Sequence, residues 1–226
     1  MRRLWLSLTL VAAVGALIAS VTLAVGQASR PRPAGPGMMT AQGWYGTGTG
    51  MMGGTGMSAM MGTVWLAGDG HRVTSIAAAR DRATTAGTSA GLHTGEAIWF
   101  DNGFYVELKD ATGDSATEVI VDPATGAVGT EPGPAMMWNT RYGMHRTGTT
   151  GPATVTSDRA QRYAADWLGR NLPGRQAQPP DAYPGYYTLE TTTPGGTLNG
   201  MLSVNAATGQ VWYHSWHGRF IAREDA

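Results

Sequence analysis

The strongest constraint on this chain is that it repeats itself. The stretch VTSIAAARDRA from Val73 matches VTSDRAQRYAA from Val155 at six of eleven positions without a gap. With one inserted residue, Glu107 to Val128 then matches Glu190 to Val211 at seven of 22 positions, including Ala124-Thr125-Gly126 against Ala207-Thr208-Gly209. A period of 82 to 83 residues is too long for a solenoid unit and suits a duplicated small domain. Whatever one half folds into, the other should follow in the same order.

Each half opens with Thr-Ser, a good helix N-cap, because a hydroxyl accepts from the unpaired amide donors of the first turn. In the second half Ala160, Tyr163, Ala164, Trp167, Leu168 and Leu172 fall on one helical face, which Pro173-Gly174 ends. In the first half Ile76, Ala79, Ala83 and Ala86 form a thinner stripe that Gly87 closes. Strands follow. Glu96 to Phe100 and Phe104 to Lys109 flank Asp101-Asn102-Gly103 and read as a hairpin. Thr117 to Val121 and Ala127 to Val128 come next, separated by Asp122-Pro123-Ala124-Thr125-Gly126, a turn sequence. The second half offers Tyr186 to Thr191, Leu198 to Val204 and Gln210 to Trp216. The expected architecture is α+β: two repeated units, each one helix packed on a small antiparallel β-meander. Cores of 60 to 80 residues are marginal alone, so the units should pack together or extend one sheet.

The rest of the chain is of another kind. Arg2 and Arg3 precede an uncharged run from Leu4 to Val25, 22 residues that span roughly 33 Å as a helix and so suffice to cross a bilayer. A secretory signal usually has a shorter apolar core, yet Ala24 and Gly26 offer a small-x-small cleavage pattern. Length favours a retained anchor. Either way the bulk of the chain is expected outside the cytoplasm, membrane-bound through residues 4–25 or secreted if the signal is cleaved. The divisions expected are a signal anchor or signal peptide at 1–28, a Met/Gly-rich flexible tether at 29–62, the first unit at 63–131, a Met-containing linker at 132–152, the second unit at 153–221 and a tail at 222–226.

Composition narrows the chemistry. Sixteen basic and sixteen acidic residues balance to zero, so no nucleic-acid partner is implied. Zero Cys excludes disulfides, thiolate zinc sites, iron–sulfur clusters and Cys nucleophiles. Any metal must be held by His, carboxylate or Met. Seven of the 12 methionines lie in the tether, namely Met38, Met39, Met51, Met52, Met57, Met60 and Met61. Met136, Met137 and Met144 lie beside Trp138 and His145 in the linker. Neutral thioethers suit Cu(I), and glycine lets several sulfurs converge on one ion. The same residues also suit an adaptable linker, a contact for an apolar partner surface, or an oxidant trap.

Other candidates are weaker. His214 and His217 sit in the aromatic-dense VWYHSWHGRF, where an extended chain points them to opposite faces. They meet one ion only if the strand ends or bulges there, and otherwise read as residues of a half-exposed sheet. His71 and His93 read as solvent loop residues. Glu107 and Glu190 occupy equivalent strand positions and read as solvent-side, as Arg80 and Arg162 do on the polar helix faces. No Ser stands in a strained turn or beside a base, and HExxH is absent, so no enzyme is expected.

The capped Ala-rich helix, the strand FYVEL and the strand-turn VDPATGAV together resemble the PepSY domain. YYTLE and SVNAATGQVWY resemble a divergent second copy, with Asn205 in place of the usual Asp. The resemblance covers residues 70 to 130 and 153 to 217. It implies an extracytoplasmic noncatalytic module of a kind found in peptidase propeptides and membrane-anchored bacterial proteins, with peptidase inhibition or protein contact as its role. It carries no ligand-binding residue. The partners expected are the membrane through residues 4–25 and a protein, either a peptidase, as the resemblance implies, or a copper protein, as the methionines suggest.

Overall fold

The computed structural model describes residues 64–144 and 152–225. The apolar run at 4–25, the seven tether methionines and His145 lie outside the described residues. Among the described residues no helix is long and apolar enough to cross a membrane.

The fold is α+β, with few helices and, among the described residues, only antiparallel strand pairs. In the first half, β1 (Val64–Leu66), α1 (Ile76–Thr88), β2 (His93–Phe100), β3 (Gly103–Lys109), β4 (Ser115–Val121) and β5 (Val128–Thr130) follow in order. A short helix, α2 (Pro134–Met137), lies in the stretch expected as linker. The second half contains α3 (Ser157–Asn171), β6 (Gln176–Ala177), β7 (Asp181–Tyr183), β8 (Tyr186–Thr192), β9 (Leu198–Asn205), β10 (Val211–Tyr213) and β11 (Phe220–Glu224).

The helices start where the caps predict, but on different residues of the Thr-Ser pair. Ser75 accepts from the Ala78 amide before α1, whereas Thr156 accepts from the Arg159 amide before α3. Gly87 does not end α1, as expected, but lies inside it. Its carbonyl accepts from the Ala90 and Leu92 amides, and Gly91 takes the positive φ of 69° that turns the chain into β2. α3 ends with Leu172 as its C-cap, directly before the expected Pro173-Gly174 stop, where Gly174 takes a positive φ of 87°.

Two sheets form rather than one. The first has the order β1-β5-β4-β3-β2-β11 and the second β10-β9-β8-β6, with β7 also on β8. One face of the first sheet packs under α1, where Ile76, Ala79 and Ala83 meet Phe104, Val106, Leu108 and Val119. One face of the second packs under α3, where Ala160, Ala164 and Leu168 meet Leu189, Leu202 and Val204. The remaining faces pack on each other: Ile98, Phe100, Tyr105 and Ile120 meet Leu198 and Met201. The layers therefore run helix, sheet, sheet, helix.

Both faces of each sheet are covered, which explains why Gly103 to Leu108 is buried at every position instead of alternating. The expectation of one solvated sheet face is corrected here. Glu107 is 6% exposed and faces the second sheet, not water. Its carboxylate accepts from the Glu96 amide and the Ser115 hydroxyl. Glu190 is also largely withdrawn from solvent and pairs with Arg223 at 2.8 Å.

The last strand crosses between halves. β10 belongs to the second sheet, but β11 pairs with β2 of the first, with Phe220 opposite Phe100 and Arg223 opposite Ile98. Residues 222–224, expected as tail, are thus part of a strand. Arg80, read as a polar-face residue, donates to the Gly95 carbonyl at 2.8 Å and to the Asp225 carbonyl at 2.9 Å.

Candidate metal centre

Between the sheets, polar side chains replace the apolar packing on one side of the shared layer. Glu118, on β4, has no exposed surface. It accepts from the Tyr105 hydroxyl at 3.0 Å and from the Tyr186 hydroxyl at 2.8 Å. The Tyr105 and Tyr183 hydroxyls are 3.1 Å apart. Burial, and after it the charge of Glu131, raises the Glu118 carboxyl well above the usual range. The hydroxyls of Thr188, Tyr186 and Tyr105 oppose that rise without overcoming it. Burial thus disfavours the charged form of Glu118, while the surrounding hydroxyls favour it.

Glu131 follows β5, and its amide donates to the Glu118 carbonyl at 2.9 Å, which continues the ladder one residue past the strand. Its side chain turns to the chain that leaves β10. That strand stops at Tyr213: the His214 amide still donates to Met201, but the Ser215 amide turns back to the Tyr213 carbonyl. The turn changes the expected geometry. His214 and His217 no longer point to opposite faces, and both rings reach Glu131.

The distances are short and the groups are sealed. Glu131 Oε1 lies 3.3 Å from His214 Nδ1 and 2.8 Å from His217 Nε2, with the side chains 0%, 0% and 4% exposed. Trp216 Nε1 donates to the same oxygen at 3.2 Å. His217 is stacked on Phe100 at 4.3 Å and lies edge-on to Tyr105 at 6.0 Å. His214 stacks on Trp216 at 4.5 Å, and its Nε2 lies 2.9 Å from Ser203 Oγ. Ser203 Oγ is in turn 2.9 Å from Thr188 Oγ1.

Despite these contacts, His214 Nδ1, His217 Nε2 and Glu131 Oε2 have no hydrogen-bond partner among the described residues. An unsatisfied buried polar atom costs about 1–3 kcal/mol, and an ion held by these three side chains would satisfy such atoms together. One ligand atom from each of Glu131, His214 and His217 lies within 4.8 Å of the others. Ligands about 2.1 Å from a tetrahedral ion stand roughly 3.4 Å apart, so small side-chain shifts suffice.

Burial lowers His217 below its ordinary value although Glu131 opposes this, which favours the neutral form. Burial would raise Glu131, but His214 and His217, as hydrogen-bond donors and as cations when protonated, outweigh it and hold its carboxyl well below the usual range, so an ion would bind here in competition with imidazole protons. When His214 donates from Nε2 to Ser203, its Nδ1 keeps the lone pair, the second-shell arrangement typical of a metal-bound imidazole. Two imidazoles and one carboxylate suit Zn(II), Fe(II), Cu(II) or a similar ion far better than Mg(II) or Ca(II).

Ser203, His214 and Glu131 also stand in the order of a hydrolytic triad, so a serine does lie beside a base, contrary to the expectation. The serine is a mid-strand residue with no exposed surface, bonded to Thr188, and no substrate carbonyl reaches it.

The methionine candidates lie elsewhere. Met136 is half-buried, Met137 and Met144 are exposed, and the Met144 amide donates to the Met136 carbonyl at 2.8 Å. His71 and His93 are exposed, His93 as the first residue of β2. Glu131 was not among the candidates read from the sequence. It lies 83 residues from His214 and nothing in its neighbourhood marks it, whereas the density of aromatic residues around His214 and His217 was visible. No protein-family model, curated protein or solved structure matches the chain, and the chemistry of the site follows from its own atoms.

Proposed function

We propose that this protein is a noncatalytic, extracytoplasmic, membrane-anchored binding module built from two PepSY-like repeats, and that what it binds in its interior is one transition-metal dication. The observation that carries the metal reading is the convergence of Glu131, His214 and His217, sealed from solvent, with unpartnered ligand atoms. The six-of-eleven match and the recurrence of a helix followed by antiparallel strands support the repeats. Arg2-Arg3 before the apolar run supports the anchor. The sealed position of Ser203 favours binding over catalysis.

The test is a titration of metal-free full-length protein in detergent with Co(II), followed by displacement with Zn(II). One equivalent of Co(II) should give the visible bands of a low-coordinate site, and Glu131→Gln or His217→Gln should abolish them. Bands that persist in both variants, or no binding by the native protein, would overturn the reading.

A second, separate reading is Cu(I) capture by thioethers, favoured by the exposure of Met137 and Met144 beside Met136. A Cu(I) competition titration with Met→Leu at those three positions and at the seven tether positions tests it. Binding indifferent to both sets of substitutions would end it. Regulation of an extracytoplasmic peptidase follows from the PepSY resemblance alone, and cross-linking on the membrane is its test.

A further inference from the structure

Resting on the metal reading above, we infer that the bound ion acts as a latch: it fastens residues 214–219 to the first sheet and thereby holds β11 in place, and release of this strap is the route by which the ion enters and leaves.

The covalent path makes the connection. β10 ends in the second sheet at Tyr213 and β11 begins in the first at Phe220. The six residues between them carry His214 and His217. The third ligand, Glu131, belongs to the first sheet. An ion shared by the three therefore ties the strap to the opposite half of the molecule, closing a loop from residue 131 to residue 214.

The burial makes a gate necessary. With ligand side chains 0–4% exposed, no ion reaches them unless part of the wall moves. Glu131 cannot be that part, because its amide is bonded to the Glu118 carbonyl inside the first sheet. Apart from the interior contacts of His214, Trp216 and His217, the strap is tied to the first sheet through one turn, where the Asp101 amide donates to the Arg219 carbonyl at 2.9 Å. Asn102 Nδ2 donates to the Trp216 carbonyl and the Gly218 amide donates to Asn102 Oδ1, each at 2.8 Å. The Arg219 amide donates to Asp101 Oδ1, also at 2.8 Å. These anchors all sit on the β2–β3 turn at the surface, and β11 is a short edge strand whose Ile221 is 44% exposed. Short edges with exposed bonds are where local opening is least costly.

An ion that binds only the docked form slows undocking by the factor 1 + [M]/Kd, because the open form must first lose it. At a free Zn(II) concentration about 100 times Kd, amide exchange in residues 214–224 should slow about 100-fold. Amides of β6, at the far edge of the second sheet, exchange by their own fraying and should keep their rate. Hydrogen exchange on the full chain in detergent, with and without Zn(II), reads both at once. Stoichiometric Zn(II) binding with unchanged exchange in β11 would overturn the latch while leaving the metal site standing. Failure of the native protein to bind Zn(II), Co(II) or Cu(II) would overturn the metal reading and the latch with it.

Asn102→Ala gives an independent check, since it removes two anchors of the strap and no ligand. Zn(II) release into excess chelator should accelerate about 10- to 30-fold, as expected for the loss of two ordinary hydrogen bonds. An unchanged release rate would refute the gate. Should this variant not fold, the exchange comparison on the native chain decides alone.

Discussion

Glu96 offers a quantitative test of the layer between the sheets. It lies on β2 among Glu107, Asp181 and Glu190, with Arg223 Nε 3.6 Å from its carboxylate. Burial, then the charge of Glu190, raises its pKa from 4.5 to about 8, although Arg223 pulls the other way. In the unfolded chain the same carboxyl loses its proton near 4.5. Between these values the folded state keeps a proton that the unfolded state has released, so stability falls as pH rises and reaches its floor above 8. At about 1.4 kcal/mol per tenfold change in proton affinity, the full cost is at most roughly 5 kcal/mol. The side chain is 22% exposed, so solvent screening and movement of Arg223 reduce this to about 2–4 kcal/mol. Glu96→Gln removes the titration while keeping the shape. Urea unfolding followed by tryptophan fluorescence should show variant and native protein similar at pH 5, with the variant more stable at pH 9 by that amount. Parallel stability curves from pH 5 to 9 would refute the account of a buried, charge-crowded carboxyl.

Three further outcomes follow from packing and capping, all read from urea midpoints. Leu168→Ala, under α3 with no exposed surface, should cost about 2–5 kcal/mol, and a loss below 1 kcal/mol would mean the helix is not seated as described. Thr156→Ala should cost about 1 kcal/mol by leaving the Arg159 amide uncapped, whereas Ser157→Ala should be nearly neutral although it is the other half of the Thr-Ser pair. Gly95→Ala places a Cβ against the buried Glu107 carboxylate and should cost about 1–3 kcal/mol, while Gly129→Ala on β5, with nothing within 4 Å, should lie within about 0.5 kcal/mol of native.

Much of the local structure was legible because it depends on near neighbours. The apolar face of α3 from Ala160 to Leu172, the hairpin around Asp101-Asn102-Gly103 and the turn at Asp122 to Gly126 all appear where their residues place them. The second face of each sheet was not legible. A strand such as GFYVELK shows which residues alternate, but a Glu at position 107 reads as solvent-facing until something is known to cover it. The pairing of β11 with β2 was hidden for a similar reason, since nothing local in FIARE names a partner more than a hundred residues away. The candidate site depends on both. The condition for His214 and His217 to converge, an ending strand, could be stated from their spacing; Glu131 becomes visible only when the two sheets are face to face.

The crossing of the last strand also bears on the order in which the chain is made. The edge of the first sheet is completed by residues that emerge roughly 120 positions after Phe100, at synthesis rates of about 5–20 residues per second some 6 to 24 seconds later. Throughout that interval β2 presents an unpaired edge, and Ile98 and Phe100 lack the surface that later covers them. A protein arrested before Phe220 would carry every residue of its first half and still be unfinished there. Completion of the first half is thus a report that residues 220–224 have been made, so chains cut short before them should be recognised by quality control through a defect in the half that was synthesised first.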